Sequence, residues 1–214
     1  MKGICFKEPL FLLTVQGIKT KTRRIIKPQP EENLALAEEG NYDNCDVSYT
    51  NKFTKADWID DSCNFFRPRY KVGETVYLKE PYIITGQTYE YEYLHENKTD
   101  IACIKRNGGY KNKLFMPERA ARYFIKIIGV RAERLQDISE EDCFLEGIKT
   151  GRCGNKSKWM EAFYVEGDNQ PYITARRAYE MLINKINGKD TWQRNPWVWV
   201  YEYELMVSDW DKIK

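Results

Sequence analysis

At 214 residues the chain fits one domain with an insertion, and its 42% hydrophobic and 14% aromatic content excludes a largely disordered protein. Six cysteines without a CxxC pair and the lone His95 supply no ligand set for structural zinc, and no glycine-rich phosphate loop occurs, so neither metal nor cofactor is expected. Lys and Arg number 34 against 32 Asp and Glu, which excludes a uniformly basic nucleic-acid coat but hides an asymmetry: residues 1–27 carry +6, residues 28–63 carry −7 and the remainder +3.

The chain opens on KGICF, an apolar run that suits a first strand, and EPLFLLTVQG then reads as a helix with Pro9 in its first turn and Gly17 just past its end. The opening residues lack a signal-peptide pattern and no apolar run reaches membrane-spanning length, so the expectation is a cytoplasmic protein with reduced thiols and no membrane contact. Lys19, Lys21, Arg23, Arg24 and Lys27 crowd the next stretch, whose β-branched and basic residues predict a strand over Thr20–Ile26, ended by Pro28 and Pro30. Residues 28–69 show no sustained period and are rich in Asp, Asn, Glu and Ser; they are expected to be an acidic insertion within a single domain spanning 1–214, with one short helix around Glu31–Glu39. Lying beside the cationic run, the insertion is expected to limit access to it and to be removable without loss of the fold.

GETVYLKEPYI predicts a strand after a turn at Gly73 and Glu74. YEYEYL (89–94) and DIACIK (100–105) read as two arms of a hairpin, with Asn107, Gly108 and Gly109 as the turn into a further strand. RYFIKIIGVRAERL carries the longest strand pattern in the middle of the chain. DISEEDCFLEGI predicts a short helix with Ser139 as N-cap, Asp142 as reciprocal partner in a capping box and Gly147 as the stop. A Gly/Lys-rich loop is expected next. In YITARRAYEMLINKING, Tyr172, Ala175, Tyr179, Leu182 and Ile186 form one apolar helical face, ended by Gly188. PWVWVYEYEL closes the chain as a strand apolar on both faces in its first half, its Trp and Tyr side chains read as core rather than as platforms for bases. Strands outnumber helices without a βαβ rhythm, which predicts an α+β fold built on a small mixed barrel.

Strand alternation places Thr20, Thr22 and Arg24 on one face and Lys19, Lys21 and Arg23 on the other, while the helix stop at Gly17 allows Lys19 to be aimed independently. The simpler account of these charges is an edge strand guarded against aggregation. Lys19 could activate a nucleophile or stabilise an oxyanion if burial or neighbouring cations lowered its pKa, and Thr22 offers a hydroxyl to attack or to orient water; a solvated lysine and a strand-forming threonine are the plain alternatives. Glu146 occupies the last turn of its helix, where the carbonyl ends repel a carboxylate, so it is a general acid/base candidate, an exposed residue that tolerates the small cost, or one neutralised by Lys149. Its replacement by Gln is expected to leave stability nearly unchanged.

GIKTKTRRIIKPQP, YKVGETVYLKEPY, RAERLQDISEEDCFLEGI and INGKDTWQRNPWVWVYEYEL, in this order, resemble the ASCH-domain proteins of phages and bacteria, members of the PUA-like superfamily. The resemblance implies a PUA-like β-barrel with flanking helices and a long insertion, with a cleft that faces RNA or a modified nucleoside. It also implies, as the alternative activity, removal of an acyl group from the exocyclic amine of cytidine without metal, with Lys19, Thr22 and Glu146 as catalytic residues. Lys21, Arg23, Arg24 and Lys27 are the expected nucleic-acid contacts. A third reading is an interaction protein that acts through its acidic insertion.

Overall fold

The computed structural model describes residues 1–30, 34–36, 58–60, 64–85, 88–92, 104, 108–155 and 158–206. In chain order the strands are β1 (Lys2–Cys5), β2 (Lys21–Ile25), β3 (Leu34–Leu36), β4 (Trp58–Asp60), β5 (Phe65–Phe66), β6 (Thr75–Lys79), β7 (Tyr82–Thr85), β8 (Thr88–Tyr91), β9 (Phe124–Arg134), β10 (Ile148–Asn155), β11 (Lys158–Val165) and β12 (Trp197–Met206). The helices are α1 (Glu8–Val15), α2 (Glu140–Leu145), α3 (Ala175–Asn187) and α4 (Thr191–Arg194).

A strand apolar on both faces needs cover on both, and β12 has it. The main sheet runs β1-β6-β9-β12-β2, with β12 bonded to β9 on one side and β2 on the other. Val198, Val200, Trp199, Tyr201 and Tyr203 are all buried. The pair β1 and β6 is parallel, the remaining pairs antiparallel. Laid flat, four strand spacings would hold β1 and β2 roughly 19 Å apart. Yet Arg24 on β2 donates through Nη2 to the Cys5 carbonyl of β1 at 2.7 Å. The sheet therefore curls until its two edges are one side chain apart, although no ladder joins them among the described strands. The observed class is α+β, rich in sheet.

Helix α1 crosses from β1 to β2 and buries Leu10, Phe11, Leu13 and Thr14, as a helix with apolar residues all round must. Helix α3 presents Ala175, Ala178, Tyr179, Leu182 and Ile183 to the core, and the Thr174 hydroxyl caps it by accepting from the Arg177 amide. None of the described helices is long and apolar enough to cross a membrane. Cys5, Cys143 and Cys153 are free thiols.

Several expected elements differ. The segment Leu34–Leu36 is a strand paired antiparallel with β4, not part of a helix; the rest of the expected 31–39 helix lies outside the described residues. Residues Tyr89–Tyr91 pair antiparallel with β7, and most of their expected partner, 100–105, lies outside the described residues. After Gly108 and Gly109 comes only an isolated bridge from Lys111 to Tyr82 and two short 3-10 turns, not a strand. The expected Gly/Lys-rich loop is instead the hairpin of β10 and β11, in register from Ile148 opposite Val165 to Asn155 opposite Lys158. Gly154 is required within it: its φ is +133°, and an added Cβ would sit 2.1 Å from the Lys158 carbonyl oxygen.

The described residues of the acidic insertion pack into the fold. Leu34 and Phe66 belong to the main core, and Trp58 meets Trp199 edge-on at 5.6 Å between ring centroids. Removing residues 31–66 would strip apolar side chains from that core, so the fold is not expected to survive the deletion.

Candidate functional site

The site begins where α1 stops. Gly17 adopts φ +73°, and the amides of Ile18 and Lys19 both turn back to the Leu13 carbonyl at 3.0 and 3.1 Å. The Thr20 amide then donates to Leu145 at the end of α2, and the Thr20 carbonyl accepts from Tyr203 on β12. Clamped on two sides, this short connection sends the Lys19 side chain inward, where it is 1% exposed.

Helix α2 brings the matching acid. Ser139 caps it by accepting from the Asp142 amide at 3.1 Å, and Glu140, Glu141 and Asp142 crowd the first turn, where the helix field favours acids. Glu146 stands at the C-cap and Gly147 follows at φ +105°, with no room for a side chain: an added Cβ would meet Leu13 Cδ1 at 2.9 Å. The unfavourable position of Glu146 at the carbonyl end is offset by Lys19. Its ammonium donates to Glu146 Oε2 at 2.6 Å, to the Glu146 carbonyl at 3.1 Å and to the Lys21 carbonyl at 2.6 Å. Lys19 is thus the cation that a helix C-terminus prefers, and all three of its donors are used. Burial lowers the Lys19 pKa, against the pull of Glu146, and Arg24 and Arg23 push the same way as burial. The expected neutralisation of Glu146 by Lys149 does not occur, since Lys149 pairs with Glu166.

On β2 the alternation is as read from sequence. Thr22 and Arg24 share one face with Tyr201 and Trp199 of β12, while Lys21 and Arg23 share the other with Glu202 and Val200. The second face carries a dense ion network. Arg23 donates to Glu133 at 2.7 Å, to Asp142 at 2.6 Å and to Glu146 at 3.2 Å. Lys21 bridges Asp142 at 2.8 Å and Glu202 at 2.9 Å, and Arg131 joins Glu133, Asp142 and Glu202. With Lys19, four cations meet four carboxylates and the charges balance. Burial works against the charge on Arg23, but Glu146 and its other neighbours raise its pKa overall. Asp142 would be raised by burial, but Lys21 and Arg23 hold it below the usual carboxylate range.

These pairings correct two expectations. Lys21 and Arg23, read as phosphate contacts, are instead committed to carboxylates, and the Arg23 side chain has no exposed surface. The capping box is half formed, because the Asp142 carboxylate is drawn to these cations instead of back to the Ser139 amide. Arg24 and Lys27 face elsewhere. Arg24 lies over the Phe6 ring at 5.3 Å and reaches the Cys5 carbonyl, and Lys27 is exposed past the end of β2.

Lys19, Thr22 and Glu146, far apart in sequence, line one cavity of about 300 Å³ together with Phe6, Arg24 and Tyr179. That is the lower end of the size range for small-molecule pockets. Its wall is apolar where α1 and α3 supply Leu10, Leu182 and Ile186. The Thr22 hydroxyl makes no hydrogen bond among the described residues. Tyr179 is the residue that sequence reasoning missed: it was read as core, and it is 1% exposed, yet its hydroxyl has no hydrogen-bond partner among the described residues. Burial raises its pKa, and Glu146 adds to the effect, so the phenol stays neutral. A buried hydroxyl without a partner costs about 1–3 kcal/mol. Its signal in sequence is a phenol on a helical face that is otherwise aliphatic from Ala175 onward. No group of three His, Cys, Asp or Glu side chains that could hold a metal ion occurs among the described residues.

Comparison of the chain with family models, curated proteins and solved structures returns no match.

Proposed function

We propose that the chain is an ASCH-type protein of PUA-like architecture whose cavity takes a modified nucleobase, and that it hydrolyses the amide joining an acyl group to the exocyclic amine of cytidine. One observation carries this reading: the buried Lys19–Glu146 pair lies in the wall of a cavity that Thr22 and Tyr179 also line, and the hydroxyls of both have no hydrogen-bond partner among the described residues. A structural ion pair needs no such cavity, and a core needs no idle phenol.

In this reading Thr22 orients a water molecule against the acyl carbon. The water oxygen bonds to that carbon, its proton passes to Glu146, and the carbonyl π electrons move onto oxygen. The Tyr179 hydroxyl donates to the resulting oxyanion, and the fixed charge of Lys19 stabilises it. When the tetrahedral carbon collapses, the C–N bond breaks and Glu146 returns the proton to the leaving amine, which yields the free carboxylic acid and cytidine. Lys19 and Arg23 hold Glu146 in place through both of its oxygens.

The test is incubation of the protein with cytidine acetylated on its exocyclic amine, with release of acetate followed by chromatography. Turnover without added metal is expected, and Thr22→Val should lower kcat by about 10²-fold or more, the usual worth of a positioned proton-transfer partner or its water. Binding without turnover would instead leave the second reading, recognition of nucleic acid alone. That reading is favoured by the row of cations that leads out of the cavity from Arg24 to Lys27.

A further inference from the structure

Beyond Arg24 the cavity adjoins a second, larger hollow of about 680 Å³, and Cys5 and Arg24 line both. Its floor is aromatic: Tyr70 and Tyr201 meet edge-on at 5.2 Å, and Trp199 lies beside them on β12. Its rim is cationic. Arg24, Lys27, Arg67, Arg69 and Lys79 line it, and no carboxylate among the described residues does. This sign bias is unusual for a chain with nearly equal numbers of acids and bases. The contrast with the other face of β2 is sharp, since Lys21, Arg23 and Arg131 each hold two or three carboxylates there.

Arg24, Lys27, Arg69 and Lys79 meet no carboxylate among the described residues. Lys79 donates to the Leu114 carbonyl at 2.9 Å, and Arg69 lies over Tyr70 at 5.6 Å. The fold also makes room for them. A Cβ on Gly3 would fall 2.3 Å from Lys79 Cε, so the glycine lets the lysine stem run along β1. The Arg69 amide is pinned by the Tyr201 hydroxyl at 3.0 Å. Gathering these four cations without counter-ions among the described residues disfavours the folded state unless an anion is bound there.

We propose that this outer groove is a phosphate subsite: Arg24, Lys27, Arg69 and Lys79 hold the sugar-phosphate of a ligand whose base enters the inner cavity. The preferred ligand is therefore a nucleotide, free or within a strand, and not a bare nucleoside. This deepens the base-recognition reading above and rests on it for the identity of the base. Planar guanidinium groups pair phosphate oxygens through two parallel N–H donors, and the shared Arg24 links the two compartments.

The test is calorimetric titration of the protein with acetylcytidine, its 5′-monophosphate, inorganic pyrophosphate and a short pyrimidine oligonucleotide, repeated on Arg69→Ala and Lys79→Ala with their folding checked by circular dichroism. The monophosphate should bind at least ~10-fold more tightly than the nucleoside, as one added charge-assisted contact implies. Each substitution should remove most of that gain and leave nucleoside binding unchanged. A strand as the natural source would show in tighter binding of the oligonucleotide than of the monophosphate. Equal affinity for nucleoside and monophosphate, or substitutions that leave the anion titrations unchanged, would overturn the proposal. If neither acetylcytidine compound binds while pyrophosphate or the oligonucleotide does, and Arg69→Ala weakens it, the phosphate subsite stands and the base assignment falls. If none of the four probes binds, the subsite falls too.

Discussion

Glu146 shows how burial reverses an expectation drawn from local position. Read from sequence, it is an acid at the wrong end of a helix, whose conversion to Gln should be harmless. In the fold it is 4% exposed and bonded to both Lys19 and Arg23. Glu146→Gln therefore leaves a buried ammonium without its counter-charge, and such breaks typically cost about 3–5 kcal/mol. Urea denaturation should show a loss of that order, and a change below about 1 kcal/mol, the ceiling for an exposed pair, would place the pair in contact with water. Lys19 itself was legible, because the glycine stop at Gly17 marks a point where a side chain leaves the strand pattern. Tyr179 was not, because sequence periodicity reports which face a residue occupies and says nothing of whether its hydroxyl finds a partner.

At the scale of elements, α2 matters more than its six residues imply, since its two ends supply Asp142 to one face of β2 and Glu146 to the cavity. Gly147→Ala forces a positive φ on a residue with a side chain and pushes its Cβ against Leu13. A loss of roughly 1–2 kcal/mol is expected from the backbone alone, together with a lower rate of deacylation as Glu146 shifts. Stability and rate unchanged in thermal and kinetic assays would mean that α2 does not position the acid. The caps and stops of α1, α2 and α3 were visible because Pro9, Ser139, Gly17, Gly147 and Gly188 each meet a local backbone need. The β10–β11 hairpin was hidden for the opposite reason. Much of it is exposed, so no alternation marks its inner face, and Gly151 and Gly154 imitate a loop. The pairing of Tyr89–Tyr91 with β7 was not read, although Gly86-Gln87 carries the sequence mark of a tight turn.

Across the whole molecule, the curled sheet separates two electrostatic environments on the two faces of β2. On one, cations and carboxylates neutralise each other, with Glu146 and Arg23 reaching from that network into the cavity wall; on the other, Arg24 borders the cavity and opens the cationic groove. The balanced face governs acid stability. Asp142 is held down by Lys21 and Arg23 against the effect of burial, and Glu202 chiefly by its hydrogen bond to Lys21. Carboxyl groups whose folded pKa lies below the unfolded value of about 4 stabilise above that pH and lose their contribution as pH falls through the folded value. The denaturant midpoint should therefore drop below about pH 4, and Lys21→Met should flatten that drop while lowering the midpoint near neutrality. A parallel downward shift at all pH values would show that Lys21 does not set these ionisations.

The charge asymmetry between residues 1–27 and 28–63 was plain in the sequence, but its arrangement was not, because strand alternation assigns a face without saying which face is covered. The central claim is that Thr22, Glu146 and Tyr179 form a reaction site in the inner cavity, supported by Lys19. Tyr179→Phe tests it most directly, because the change removes one oxygen that contributes no hydrogen bond to the fold. The decisive measurement is kcat for acetylcytidine hydrolysis by this variant, taken alongside its melting temperature. The account predicts a fall of at least ~10-fold, as loss of an oxyanion donor implies, in a protein at least as thermally stable as the parent. A variant that deacylates at the parent's rate, or a parent that releases no acetate, would contradict it.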